Sequence, residues 1–239
     1  MNKLMIKCFP ALSYAGQEAM NTLCTNLSFS GEQVKRIMMT SSHASEGKSF
    51  LTMNIMRTMA KFGKKVVVVD ADLRRSKLRG RYKLECDGSD EMRGLAHYLA
   101  GKSSAEEVLY QTDIPGAFMV PVGRTVSNPL QLLNSDRLPR LLEALAQYCD
   151  YVLVDAPPVG TVIDAAEIAK SCDGTLLVID YNSIRRGELI DAKKQLDQTG
   201  CPIIGAVLNQ IEYDRYLSKK YHYKDYYSAY VHEEKGKKR

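Results

Sequence analysis

The sequence predicts an α/β fold: a mostly parallel sheet with helices on both faces, an N-terminal helix and a disordered, tyrosine-rich C-terminal tail. Three observations predict it. Short aliphatic runs alternate with helical patterns along most of the chain. The apolar runs are continuous, as strands covered on both faces require. The last 28 residues, by contrast, hold almost no aliphatic side chains. In chain order, residues 36–41 (RIMMTS), 65–70 (KVVVVD), 117–122, 151–155, 175–180 and 203–209 read as buried strands. Residues 48–62, 91–99, 137–148, 165–171 and 186–199 read as the intervening helices, and residues 15–28 as a further helix outside this alternating core, packed on the domain or on a neighbour. Repeated strand–helix units imply right-handed crossovers. Sheets of that kind bind ligands at the carboxyl ends of their strands.

Composition narrows the function. The 239 residues suffice for one large domain or two small ones, and 45% hydrophobic with 26% charged residues excludes a wholly disordered chain. The net charge of +5 is uneven, because residues 213–239 carry eight Lys/Arg against four Asp/Glu. So small an excess does not fit a dedicated nucleic-acid-binding protein, and no nucleic-acid partner is expected. No stretch approaches the ~20 apolar residues of a membrane helix, and the N-terminus lacks the pattern of a signal peptide. A cytoplasmic chain is expected. Cys8, Cys24, Cys86, Cys149, Cys172 and Cys201 form no C-x-x-C pair, and the four histidines have no metal-ligand spacing.

The first strand runs into Ser41-Ser42-His43-Ala44-Ser45-Glu46-Gly47-Lys48-Ser49 and then a helix. Gly47-Lys48-Ser49 has the strand–loop–helix setting of a P-loop. A helix N-terminus offers free N–H groups to a polyphosphate. Lys48 would bridge the β- and γ-phosphates, and the Ser49 hydroxyl would ligate Mg²⁺. A serine-capped helix would explain this loop alone, since Ser42 replaces the usual first glycine.

Two acidic clusters return to the same edge. Asp70-Ala71-Asp72-Leu73-Arg74 follows the second strand directly. A helix over 48–62 travels about 22 Å at ~1.5 Å per residue, and the strand over 65–70 returns about 20 Å at ~3.3 Å per residue. Asp70 and Asp72 should therefore land on the sheet edge that holds Lys48. The strand 151–154 ends in Asp155-Ala156-Pro157-Pro158, as a Walker B strand must. Three carboxylates at one edge would repel one another without a divalent cation and nucleotide to balance them.

These motifs, in this order, resemble the bacterial tyrosine kinases of capsule and exopolysaccharide biosynthesis (BY-kinases). That family carries a Walker A loop, an Asp-x-Asp-x-Arg motif after an aliphatic strand, a Walker B ending Asp-x-Pro-Pro and a C-terminal tyrosine cluster. Here they stand as SEGKS, VVVVDADLRRS, YVLVDAPP and Tyr213, Tyr216, Tyr221, Tyr223, Tyr226, Tyr227 and Tyr230. The likeness extends to Gly123, Asn128, Pro129 and Leu132, and to Gly205-Ala206-Val207-Leu208-Asn209. It implies a P-loop kinase domain over 34–211, between an N-terminal helical segment (1–33) and a basic tail (212–239). It further implies that Ser45, Glu46, Gly47, Lys48, Ser49, Phe50, Arg74 and Asn209 contact ATP, Asn209 at the adenine edge. By the same resemblance Ser49, Asp72 and Asp155 complete the Mg²⁺ shell, and either Asp70 or Asp72 is the base for the tyrosine hydroxyl. The implied partners are a membrane-anchored polysaccharide co-polymerase that activates the chain at the inner face of the plasma membrane, a cognate tyrosine phosphatase and further copies of the chain.

The tail suits a phospho-acceptor. Seven of the fourteen tyrosines lie within 18 residues, in a segment too polar to fold alone. Fully extended, it reaches roughly 90 Å at ~3.5 Å per residue, enough to enter a neighbour's site. Each phosphate adds about −1.5 to −2 charge, so seven would drive the tail strongly negative.

Departures from the family pattern are also legible. Ala44-Ser45 replace Pro-Gly and Phe50 replaces a threonine, restricting the backbone conformations open to the loop. Asn21 and Cys24 stand where the family's N-terminal helix has arginines used in oligomer contacts. The competing readings are a regulatory ATPase switch on the same fold and a degenerate nucleotide-binding adaptor.

Overall fold

The computed structural model describes residues 2–86, 92–181 and 184–211. The seven expected acceptor tyrosines and the expected disordered tail lie outside these residues, as does Glu91. The strands are β1 (Asn2–Ile6), β2 (Arg36–Ser41), β3 (Val66–Asp70), β4 (Leu84–Cys86), β5 (Tyr110–Thr112), β6 (Ala117–Val120), β7 (Tyr151–Asp155), β8 (Gly174–Asp180) and β9 (Ile203–Asn209). The helices are α1 (Tyr14–Ser28), α2 (Lys48–Lys61), α3 (Leu78–Tyr82), α4 (Leu95–Leu99), α5 (Ala105–Val108), α6 (Leu130–Leu133), α7 (Arg137–Tyr148), α8 (Asp164–Ala169) and α9 (Arg186–Asp197).

All nine strands join one sheet in the order β4-β1-β5-β6-β3-β7-β2-β8-β9. Every pairing from β6 to β9 is parallel, and only β1–β4 and β5–β6 run antiparallel. The fold is thus the expected mostly parallel P-loop-type sheet. Side-chain alternation along the central strands feeds two cores. Val67, Val69, Val152 and Val154 face α7, α8 and α9, while Val66, Val68, Ile37 and Met39 face α1 and α2. Each valine of β3 is fully buried, a gain of about 1.5–3 kcal/mol apiece over exposure.

The N-terminus corrects the reading from sequence. Residues 2–6 form a strand at which Leu4 and Ile6 are buried and Met5 is exposed, a period-two pattern too short to stand out. Helix α1, expected to pack on the domain or on a neighbour, packs on the domain and buries Met20, Cys24 and Leu27 against it. The short strands β4 and β5, three residues each, were likewise not legible. The strand expected over 117–122 ends at Val120, because Pro121 lacks an N–H for the ladder. Its carbonyl accepts the Leu95 N–H at 2.7 Å, and α4 begins there rather than at 91.

None of the six cysteines is in a disulfide. Among the described residues no helix is long and apolar enough to cross a membrane.

Candidate active site

Strand order decides the geometry. β7 lies between β2 and β3, all three parallel, so the loops after them open on one edge. Asp70 and Asp155 are direct cross-strand partners at the last rung of the β3–β7 ladder. Backbone bonds lock the three loops together: Ala71 N–H donates to Asp155 O (2.9 Å), Ala156 N–H to Met39 O (3.1 Å) and Val159 N–H to Ser41 O (2.9 Å).

The loop after β2 is folded around its own side chains. Glu46 is buried, and its Oε2 accepts the Ser42 N–H at 3.1 Å. Lys48, the first residue of α2 and only 8% exposed, donates from Nζ to Ser41 Oγ at 2.9 Å. Gly47 has φ +91°, and a Cβ there would meet Asn209 Nδ2 at 2.0 Å, so glycine is required. Ser45 also sits in the left-handed region, at φ +69°. A serine therefore holds the conformation that the family's glycine would adopt without strain. Asn209, at the end of β9, donates to Glu46 O at 2.9 Å, and Gln210 donates to Ser45 O at 2.9 Å. In this structure Asn209 braces the loop. Phe50 is half-buried in the first turn of α2, and its carbonyl accepts Asn54 Nδ2 at 2.8 Å.

The acidic groups are costly as they stand. Burial raises Asp155 to about 6, with the Ser49 hydroxyl and the Lys48 charge opposing the rise and Asp72 adding to it. Burial, then Asp155 and Asp72, push Asp70 well above the usual carboxylate range, although the Ser76 hydroxyl donates to its Oδ2. Lys48 is lowered by burial and held up by Asp155, Asp72 and Glu46. Lys48 thus acts electrostatically with Asp155 and Asp72, and Asp70 with the same two aspartates. Asp72 is half-buried and accepts the Arg75 N–H at 2.9 Å.

Arg74 makes a bidentate pair with buried Asp164, at 2.5 Å from Nε and 2.9 Å from the terminal nitrogen. Its fork ties the Asp-x-Asp-x-Arg loop to α8. Asp164, Ser41 and Ser76 were missed from sequence. Their partners lie at separations no local pattern marks, 90 residues in the case of Arg74 and Asp164.

Ser42 Oγ, Glu46 Oε1, Asp70 Oδ1 and Asp155 Oδ1 are buried without a hydrogen-bond partner, four of seven such side-chain atoms among the described residues. Buried polar atoms left open in one place mark where a ligand completes the shell. Among the described residues no three His, Cys, Asp or Glu side chains form a ready-made metal cage. The residues present fit a metal-bound nucleotide.

Comparison with known proteins agrees. The CobQ/CobB/MinD/ParA nucleotide binding domain model matches residues 37–229. Tyrosine-protein kinase CpsD of Streptococcus pneumoniae is 36% identical over 82% of this chain and 85% of its own. The CpsD kinase of Streptococcus agalactiae serotype III is 34% identical over 82% of each. The kinase domain of Escherichia coli tyrosine kinase ETK superposes with a TM-score of 0.76 at 33% identity, over 82% of this chain and 76% of that one. The chain therefore belongs to the bacterial tyrosine-protein kinase family and carries a CobQ/CobB/MinD/ParA nucleotide binding domain.

Proposed function

We propose that the chain is an ATP- and Mg²⁺-dependent protein-tyrosine kinase that phosphorylates the tail tyrosines of a second copy and thereby regulates capsular or exopolysaccharide synthesis. One observation carries the reading. Asp70 and Asp155 lie side by side, buried, each with an unpaired oxygen, on the edge that presents Lys48. The repulsion between them is relieved by taking up a proton or by the arrival of a cation.

Ser49, Asp72 and Asp155 would hold the metal there, which would supply positive charge against the phosphates, and Lys48 would reach the phosphates. Gly47 lets the backbone approach them. One of Asp70 and Asp72 accepts the phenolic proton as the tyrosine oxygen bonds to the γ-phosphorus. The bridging P–O bond breaks with its electron pair leaving on ADP. Tyr213, Tyr216, Tyr221, Tyr223, Tyr226, Tyr227 and Tyr230 are the acceptors. A membrane-anchored activator recruits the chain to the inner face of the plasma membrane, and a tyrosine phosphatase resets the tail.

Purified chain is incubated with Mg-ATP, with and without the activator's cytoplasmic segment, and probed for phosphotyrosine. Signal that vanishes in Lys48→Met supports the kinase. ATP hydrolysis without phosphotyrosine replaces it by an ATPase switch, and nucleotide binding without turnover by an adaptor.

A further inference from the structure

The segment that follows the Asp-x-Asp-x-Arg motif is densely basic. Residues 74–83 contain six Lys/Arg and no Asp or Glu. Arg74 is taken by Asp164. Arg75, Lys77, Arg79, Arg81 and Lys83 are all exposed, and among the described residues none of them lies in an ion pair.

These charges stand on a rigid platform. Leu78 and Tyr82 are buried, Tyr82 O accepts the Cys8 N–H at 3.1 Å, and the Tyr82 ring packs edge-on against Phe9 at 5.3 Å. The platform adjoins the carboxylate edge, because Ser76 bonds Asp70 and the Arg81 charge reaches Asp155. A solvated charge run would be expected to carry neutralising carboxylates, since like charges side by side are mildly destabilising. This one carries none.

We propose that this collar of Arg75, Lys77, Arg79, Arg81 and Lys83 docks phosphotyrosines of a second copy's tail, so that tail phosphorylation accelerates with each phosphate added. The inference rests on the kinase reading above. Charge complementarity selects the occupant. Before reaction, residues 213–239 carry eight cationic side chains against four anionic ones and are repelled by the collar. Each phosphate adds about −1.5 to −2 charge and three strong acceptors suited to arginine forks. Three phosphates are enough to reverse the tail's sign. The tail is then retained beside the transfer site, and its next tyrosine re-enters without a fresh encounter.

Two measurements on full-length chain test this, using Lys77→Gln/Arg79→Gln/Lys83→Asn, exposed residues that have no part in the nucleotide site. First, a labelled peptide of residues 212–239 is titrated onto the chain with three phosphotyrosines or with none. The phosphopeptide should bind at least about tenfold tighter, and the variant and added salt should each erase the difference. Second, Lys48→Met chain is offered as substrate to wild-type or variant enzyme, and intact masses are followed. Wild type should build highly phosphorylated forms while unmodified substrate remains. The variant should add phosphates one at a time, with the first-phosphate rate changed less than about twofold. Phosphopeptide affinity that ignores the variant overturns the proposal. So does loss of binding to phosphatidylserine vesicles with unchanged phosphopeptide affinity, which makes the collar a membrane contact. Phosphopeptide docking with no phosphotyrosine formed by any chain supports the docking surface and overturns the kinase reading instead.

Discussion

The central strands end in acidic residues at both edges of the sheet, and the two edges treat them in opposite ways. At the amino edge, Asp173 accepts the Lys35 and Arg36 N–H groups at 3.1 and 2.7 Å and the Arg36 guanidinium at 2.5 Å. Asp150 accepts the Lys65 N–H at 2.7 Å. At the carboxyl edge, Asp70 and Asp155 are buried against each other with an oxygen apiece left open. The first edge is satisfied by the fold itself. The second is left open by the fold, the contrast expected between a binding edge and a structural one built from the same residue type.

The two edges also respond to pH with opposite sign. Burial alone would raise Asp173, but the Arg36 side-chain and backbone bonds outweigh it and hold the carboxyl below its ordinary range. Its contribution is full above about pH 4 and is lost as pH falls through the lowered value. Asp155, raised to about 6, works the other way. In the nucleotide-free chain its penalty grows as pH rises from about 4 through 6, where the folded state gives up a proton it holds more tightly than the unfolded chain.

Four substitutions sharpen the contrast. The largest effect belongs to Lys48→Met, which should cut phosphotyrosine formation by about 100-fold or more, read by intact mass, because the phosphates lose their buried cation. Asp155→Asn should reduce turnover by a comparable factor, yet raise the stability of the nucleotide-free chain at pH 7 by about 1–3 kcal/mol in denaturant titration. That gain should shrink as pH is lowered toward 4. Asp173→Asn should do the reverse, costing about 1–3 kcal/mol at pH 7 with turnover unchanged. Its deficit should narrow below about pH 4. The smallest effect is expected of Ser45→Gly, which relieves the left-handed serine and offsets part of that gain through unfolded-chain entropy. A net stabilisation of about 0.5 kcal/mol should appear as a rise of one or two degrees in Tm.

Much of the carboxyl edge was legible in the sequence because each of its parts ends an aliphatic strand. The runs of β2, β3 and β7 are continuous, and equal travel out along α2 and back along β3 returns Asp70 to the sheet edge where α2 begins. The amino-terminal strand was not legible. Asn2–Ile6 has two inward residues and takes its place only by pairing with β4 and β5, themselves three residues long. Within the site, the distinction between Arg74 and Lys48 escaped the sequence. Both follow strands, but Arg74 turns to a buried carboxylate 90 residues away while Lys48 stays with the loop. Ser45 shows the same limit differently. Sequence marks the missing glycine, and only the backbone shows that serine adopts its conformation.

The central claim is that the open carboxylate edge is where metal and nucleotide bind together. Thermal unfolding at pH 7 with ADP at about 100 times its Kd tests it, with magnesium or with EDTA. Wild type should rise by about 5–10 °C with magnesium, and much less with EDTA or in Asp155→Asn. An equal rise in all three would place the nucleotide elsewhere and contradict the account.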